Sequence, residues 1–388
     1  MNAIPHAPVV SSGKIRVLCV ENIAVEAAHR HLYRTMAAER DFEIHLVTPY
    51  AWREAQNVVH CEPETEQRLH LHNSRIFFGF RQHRVLYRDL QNILAKVQPH
   101  FIFLDQEPEN FAAVQGVMNK KRMASMPKLA LVSSRNINHL EVGFPYKFEF
   151  AHRWCDRYIR KHPVDVCFVR TVAATPFMQA YGKSVVYLPF PVETQRLHKV
   201  ERKREDHSAF TIGYVGRLIE PKGVKLLLDI LPSLPESVRL LFVGKGELAG
   251  ELPRLARAKG VGDRVSVRPP VPHREIPATF AEMDLVVVPS LDTKFWKEQC
   301  PRVPMEAMAC EVPVIGSDSG GIPEVLGDAG LIFRQGNVAD LREKIRFLLD
   351  NPELRRELAR KGRARVVKEF DLSVIAKRLL ETIARSVK

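Results

Sequence analysis

The sequence predicts an α/β protein built from two Rossmann-like, doubly wound parallel-sheet domains that face each other across a cleft. Three observations predict it. The chain opens β-α-β: Ile15-Arg-Val-Leu-Cys-Val20 and the alternating Phe42-Glu-Ile-His-Leu-Val47 read as strands, and 22–39 carries apolar residues at helical spacing, Val25, Ala28, Leu32 and Met36. A second such unit comes late, where Asp284-Leu-Val-Val-Val-Pro-Ser290 and Val312-Pro-Val-Ile-Gly316 read as buried strands around a short helix. Between the halves, 196–207 is charged and polar with no periodic apolar pattern, and reads as a linker.

Composition sets outer bounds. With 388 residues, 45% hydrophobic and 27% charged, the chain is ordinary globular material with enough length for two cored domains. The formal net charge of +13 fits an anionic partner, whether a phosphorylated substrate, an anionic lipid surface or nucleic acid, and equally a merely basic surface. Nucleic acid is the poorest fit, because no stacking-aromatic motif accompanies the basic residues. The basic clusters are short, at Lys120-Lys-Arg122, Arg157 to Lys161 and Arg202-Lys-Arg204. Cys19, Cys61, Cys155, Cys167, Cys300 and Cys310 form no Cys-x-x-Cys pair and no zinc spacing, which predicts free thiols in a reducing, cytoplasmic setting. Residues 1–14 lack the apolar core of a signal peptide and read as a flexible tail. No run approaches the length of a membrane span, so the expectation is a soluble or peripheral protein.

The first domain is expected over 15–195. Residues 70–80 read as a strand ending in Ile76-Phe-Phe-Gly-Phe80, and Arg84 to Val97 as a helix. Arg75, Arg81, Arg84 and Arg88 are interleaved with aromatics there. That mixture suits a membrane interface or an acceptor site, and equally core aromatics under a solvated basic face. Phe101-Ile-Phe-Leu104 is a strand running into Asp105-Gln-Glu-Pro-Glu109; Lys128 to Val132 is another, running into Ser133-Ser-Arg-Asn-Ile-Asn-His139. Both turns fall on the carboxyl edge of the sheet, where open α/β folds bind ligands. Glu107, Asn136 and His139 are therefore candidate acceptor contacts, with capping or turn roles as the alternative. A strand from Val164 to Val169, a helix from Thr175 to Tyr181 closed by Gly182, and the strand Val185-Val-Tyr-Leu188 complete the domain.

The second domain is expected over 208–370. It begins with the strand Phe210-Thr-Ile-Gly-Tyr-Val215, and Gly216-Arg-Leu-Ile-Glu-Pro-Lys-Gly223 then opens a helix near Val224. Arg217 and Lys222 stand at a strand's carboxyl end beside a helix N-terminus. Two cations and free helix amides together make an anion site. Val238 to Val243 is a strand ending at Gly244-Lys-Gly-Glu247, a turn too poor in glycine for the dinucleotide fingerprint. Arg264 to Arg268 is a short strand, Leu341 to Leu349 is amphipathic, and 371–388 carries a last helix.

Glu298-Gln-Cys-Pro-Arg-Val-Pro-Met-Glu306 joins the two strands of the late unit. Glu298 falls in the loop, and Glu306 in the first turns of a helix that Pro304 helps to start. Two carboxylates beside helix amides suit a ligand with both hydroxyls and phosphate. A capping Glu and a solvated loop Glu are the plain alternative. This segment resembles the Glu-x7-Glu motif of the retaining glycosyltransferases of family 4. The likeness continues through Glu306-Ala-Met-Ala309, Pro313-Val-Ile315 and Gly320-Gly-Ile-Pro-Glu324. It is specific over about 210–335 and topological over most of 15–195.

The resemblance implies the GT-B fold. It implies transfer of a sugar from a nucleotide-diphosphate sugar to an acceptor hydroxyl, with retention and with no metal or other cofactor, in polysaccharide, lipopolysaccharide or glycolipid synthesis. It implies that Gly216, Arg217 and Lys222 hold the donor diphosphate, and that Arg217 and Lys222 stabilise it as it leaves. Gly244, Gly246 and Arg268 would lie by the nucleotide, Glu306 would take the ribose hydroxyls, and Glu298, with Gln299 and Cys300, would face the donor sugar. The last helix would pack back on the first domain. A saccharide or lipid-linked acceptor at the inner face of an anionic membrane is compatible with the basic first domain.

The chain also departs from the family pattern. Glu21-Asn-Ile-Ala24 replaces a glycine-rich turn, Arg135 or Asn136 stands where a catalytic-site His is usual, and Phe190-Pro191 replaces Asn-Gly at the domain crossing. Gln299-Cys-Pro301 replaces Gly-Phe-Gly, and Pro301 has no N–H to offer a sugar. A catalytically silent nucleotide-sugar binder or partner subunit is therefore the competing reading.

Overall fold

The computed structural model describes residues 13–54, 57–143, 148–201 and 209–388. Most of the expected tail, the 202–207 part of the linker and the cluster Arg202-Lys-Arg204 lie outside the described residues. Two parallel sheets form the frame. The first contains β1 (Ile15–Val20), β2 (Phe42–Pro49), β3 (Leu69–Ser74), β4 (Phe101–Leu104), β5 (Lys128–Ser133), β6 (Val164–Val169) and β7 (Gly182–Tyr187), in the order β7-β6-β5-β4-β1-β2-β3. The second contains β8 (Phe210–Val215), β9 (Val238–Val243), β10 (Val265–Arg268), β11 (Leu285–Val288), β12 (Val314–Ser317) and β13 (Leu331–Phe333), in the order β10-β9-β8-β11-β12-β13. In both, the order reverses beside the first strand of the domain, which is where a doubly wound sheet opens its crevice.

The strands are apolar on both faces because helices cover both. Leu18, Val20, Ile102, Leu104, Leu129 and Leu131 enter one core of the first domain, and their alternating neighbours Val17, Cys19, Phe101, Phe103, Ala130 and Val132 enter the other. The second domain repeats this, with Leu240 and Phe242 on one side and Leu241 and Val243 on the other.

Three expected helices are shorter than their patterns, and the one expected from Thr175 to Tyr181 ends at Met178. Residues 23–29 form 3-10 turns, and the regular helix is only His31–Ala38. Arg30 is the reason. Its side chain is fully buried and donates to the carbonyls of Ala24 at 2.7 Å and Val25 at 2.9 Å, and across to Glu62 at 2.7 Å. Those carbonyls bend toward a side chain instead of continuing a helix. Likewise the strand expected over 70–80 stops at Ser74, and the helix expected from Arg84 begins at Leu90. Ile76–Phe77 and Leu86–Tyr87 pair instead as a small antiparallel hairpin. Arg302–Ala309 is helical from Arg302, so Pro304 sits inside its first turn.

The chain crosses between domains twice, side by side. Val192 N–H donates to Phe370 O at 2.8 Å, and Leu372 N–H donates to Val192 O at 2.9 Å. Arg363 ties the crossing down, with bonds to the carbonyls of Thr194 at 2.9 Å and Leu197 at 2.6 Å. Leu197, in the expected linker, is buried in the second domain's core. The last helix, Leu372–Val387, buries Ile375, Leu379 and Ile383 among Leu32, Met36 and Phe103 of the first domain. Among the described residues no helix is long and apolar enough to cross a membrane.

Candidate active site in the interdomain cleft

At the carboxyl edge of the second sheet, the turns after β8 and β9 lie against each other. Leu218 N–H donates to Lys245 O at 2.8 Å, and Gly216 N–H to Val243 O at 2.9 Å. A Cβ on Gly244 would stand 1.8 Å from the Gly216 oxygen. Glycine is required there by backbone contact, whatever ligand the turn meets. Arg217 projects from the same turn and is exposed.

Lys222 is held farther in. Its Nζ forms an ion pair with Glu298 and stands 4.7 Å from the Trp296 ring centre. The Glu298 carboxylate is buried and also accepts from Ser290 Oγ at 2.7 Å. The Glu298 carbonyl is used from both domains: Gly321 N–H donates to it at 2.8 Å, and Asn136 Nδ2 at 2.5 Å. A second bridge joins the domains nearby, where the Glu324 carboxylate accepts from Thr171 Oγ1 at 2.8 Å and Val172 N–H at 2.9 Å.

Glu306 lies on the wall of a different space, an interdomain cavity of about 270 Å³. His273 Nε2 stands 3.6 Å from its carboxylate, and Arg196 donates to the His273 carbonyl at 2.9 Å. The opposite wall is formed by Glu21, Asp105 and Arg170, which follow β1, β4 and β6. Arg170 donates to Asp105 at 2.7 Å and lies over the Phe190 ring at 4.5 Å. Burial, and then the neighbouring Asp105 charge and hydrogen bond, hold Glu21 well above the usual carboxylate range. That direction favours the protonated acid beside the Asp105 carboxylate.

The acceptor-side candidates line a smaller cavity of about 70 Å³, with Trp296 and Gln299 from the second domain. Glu107 accepts from Ser133 Oγ at 2.5 Å and Ser134 N–H at 2.7 Å. Burial, followed by the charge of Glu109, pushes Glu107 up to about 7. Burial acts upward on Glu109 too, yet the paired Arg135 guanidinium carries it below its ordinary value. His139 Nδ1 stands 3.4 Å from Glu109.

The structure thus brings Lys222 and Glu298 together, sets Asn136 against the Glu298 backbone, and gathers Glu107, His139 and Gln299 around one space. It does not bring Cys300 or Arg268 to either cavity. The Cys300 thiol is buried in the second domain's apolar core, and Arg268 is held by both oxygens of Glu282 at 2.8 and 2.9 Å. Several site residues escaped sequence reasoning: Glu21, Asp105, Arg170, Glu109, His273 and Ser290. Glu21 carried a signal, standing where glycine was expected, and Asp105 and Glu109 lie on a turn that the strand pattern had already put at the carboxyl edge.

Similar proteins fall in with this geometry. Over 96% of this chain and 99% of its own, the sucrose-phosphate synthase of Thermosynechococcus elongatus superposes with a TM-score of 0.75 at 16% identity. The Anabaena protein Alr3699/HepE, solved with UDP and glucose, superposes over 95% of this chain and 99% of its own with a TM-score of 0.69 at 18% identity. The fold is therefore that of the GT-B glycosyltransferases. Residues 195–365 match the family described as "Glycosyl transferases group 1". The D-inositol 3-phosphate glycosyltransferase 1 of Catenulispora acidiphila is 32% identical over 160 residues, 38% of this chain and 37% of that protein. The phosphatidyl-myo-inositol mannosyltransferase of Mycobacterium leprae is 30% identical over 219 residues, 54% of this chain and 56% of that protein. The chain thus spans roughly half or less of the length of these relatives.

Proposed function

We propose that this chain is a glycosyltransferase that moves a sugar from a nucleotide-diphosphate donor to an acceptor hydroxyl, with retention and without a metal. The observation that carries the reading is the meeting of Lys222 with Glu298 at the carboxyl edge of the second sheet, inside the segment that matches the family. The leaving diphosphate gains negative charge as the bond to the anomeric carbon breaks. Lys222 and Arg217 neutralise that charge, and one aimed donor in a water-poor site is worth about 3–4 kcal/mol. Glu306 accepts hydrogen bonds from the ribose, and Glu298 orients Lys222 and the donor sugar. The acceptor hydroxyl enters from the first domain beside Glu107, Asn136 and His139. The acceptor is a saccharide or a lipid-linked saccharide, and the protein works in the cytoplasm at the inner face of an anionic membrane.

One observation favours a second reading, a silent nucleotide-sugar binder: Gln299-Cys-Pro301 removes an N–H from the sugar side of the cleft. A single experiment separates the two. Thermal stability is measured with a panel of nucleotide diphosphates and their sugars, for the wild type, Glu306→Ala and Arg217→Ala. A ligand at about a hundred times its Kd adds roughly 2.7 kcal/mol to the wild type, and both variants should lose that gain. Transfer or hydrolysis of the stabilising sugar nucleotide, with the anomer read by NMR, then establishes catalysis and retention. Stabilisation without turnover over any acceptor class favours the silent binder, and no stabilisation at all overturns both readings.

A further inference from the structure

The first domain carries a groove that the cleft chemistry leaves unused. It lies between the hairpin Ile76–Phe77/Leu86–Tyr87 and the helices Phe111–Lys121 and Glu149–Lys161, and its volume is about 450 Å³. Its walls include Phe111 and Val114, and at its rim Phe78 and Trp154 are 63% and 53% exposed. Aromatic rings left in water above an apolar cavity mark a binding surface, because covering them recovers about 25 cal/mol per Å².

The charged side chains that line the groove are both cations, beside the neutral amides Gln91, Gln115 and Asn119, and Arg122 donates to Gln91 at 3.2 Å. Arg88 and Arg122 line it, and no carboxylate does. Asn119 also lines it and is only 6% exposed, yet its Nδ2 has no hydrogen-bond partner among the described residues. A buried donor without a partner is rare in a folded protein, and an acceptor oxygen from a ligand would satisfy it. The groove also adjoins the cleft. The Glu109 backbone carbonyl holds His152 Nδ1 at 3.0 Å, and the His152 ring stacks on Phe111 at 5.5 Å.

We propose that this groove binds the hydrocarbon chain of a phosphate-bearing lipid, with Arg88 and Arg122 at the phosphate and Asn119 donating to an oxygen near the head. Two cations without a carboxylate fit an anionic amphiphile. They oppose a second copy of this chain on the same face, since symmetry would set the arginines of both copies near one another. The inference rests on the transferase reading in one respect: that reading makes the lipid the sugar acceptor, its head extending past Phe111 into the cleft.

The test uses the full chain and monododecyl phosphate below its micelle concentration, titrated calorimetrically beside dodecyl maltoside and inorganic phosphate. The expected result is one saturable site for monododecyl phosphate, at least about tenfold tighter than for either control. The pair Arg88→Ala and Arg122→Ala should weaken it about tenfold. Met118→Trp, at the 40% exposed rim position, should fill the groove and abolish it. Both variants should keep nucleotide-induced stabilisation, which reports an intact fold. Equal binding of the uncharged amphiphile, or binding unchanged in both variants, overturns the proposal. So does a concentration-dependent dimer that the amphiphile dissociates, which would make the face a self-interface. Loss of nucleotide binding with amphiphile binding retained would instead count against the transferase reading and leave the groove as described.

Discussion

Lys222 and Glu298 are 76 positions apart in the chain and meet as an ion pair at the edge of one sheet, with Ser290 Oγ on the same carboxylate oxygen. The pair is mostly buried, with side-chain exposures of 18% and 7%. A carboxylate in that position fixes the lysine where a diphosphate would need it. It also opposes the anion until the donor's own contacts make up the difference.

Lys222→Met should therefore lower transfer by about a hundred to a thousand fold. It should also destabilise the protein, because it leaves the Glu298 charge buried and unpaired. Glu298→Gln keeps the hydrogen bond from Ser290 and should cost less stability. Denaturant melts of both single variants and the double variant should show a coupling of about 0.5–3 kcal/mol. Additive losses would mean the two side chains act separately.

Asn136 reaches across the cleft to the Glu298 carbonyl, and Glu324 reaches back to Thr171 and Val172. Each bridge should contribute about 0.5–1.5 kcal/mol to closure. Asn136→Ala with Glu324→Ala is expected to enlarge the radius of gyration in small-angle scattering and to raise KM for the donor more than it lowers kcat. An unchanged scattering curve would assign closure to the crossing strands and the last helix alone.

Gly244→Ala places a Cβ 1.8 Å from the Gly216 oxygen, so one of the two backbones must shift. Overpacking of this kind costs about 1–3 kcal/mol. Nucleotide-induced stabilisation should fall with it, since the displaced turn carries Arg217. Gly250→Ala is the control: nothing lies within 4 Å of its Cβ, and its melting temperature should be unchanged.

Glu107 titrates near 7 in the folded chain, against an ordinary value of 4.5. The folded state thus binds an extra proton between those values. The stability this proton confers is present below the ordinary value and is lost as pH rises through about 7. Glu107→Gln mimics the protonated acid while Glu109, Arg135 and His139 stay in place. Its melting temperature should exceed that of the wild type near pH 8 and match it near pH 5. A parallel pH profile for both proteins would contradict the shift.

Arg30→Lys should cost about 3–5 kcal/mol in chemical denaturation. A lysine cannot supply the planar fork that serves the carbonyls of Ala24, Val25 and Glu62. A smaller loss would show that water reaches those carbonyls.

Much of the frame was legible in the chain. Ile15–Val20, Phe101–Leu104, Val164–Val169, Phe210–Val215 and Val238–Val243 stand where their apolar runs put them. Such runs, bounded by turn residues, have no stable alternative to a strand covered on both faces. The resemblance singled out Lys222 and Glu298, which the structure pairs, and Glu306, which it places on a cavity wall. The helix patterns at 22–39 and 84–97 misled, since helical spacing reports a face to be buried and not which carbonyls a distant side chain will take.

By itself, then, the sequence determined two parallel sheets, their order along the chain and the turns at the second domain's carboxyl edge, all of them products of local apolar pattern and turn chemistry. Only the tertiary structure decided that Lys222 pairs with Glu298, that Glu21 stands beside Asp105 and Arg170, and that Asn136 bridges the cleft to the Glu298 carbonyl. It also decided that aromatics and arginines from three separate segments make one groove. Those relationships depend on desolvation and charge proximity between residues far apart in the chain, and such forces have no period to read.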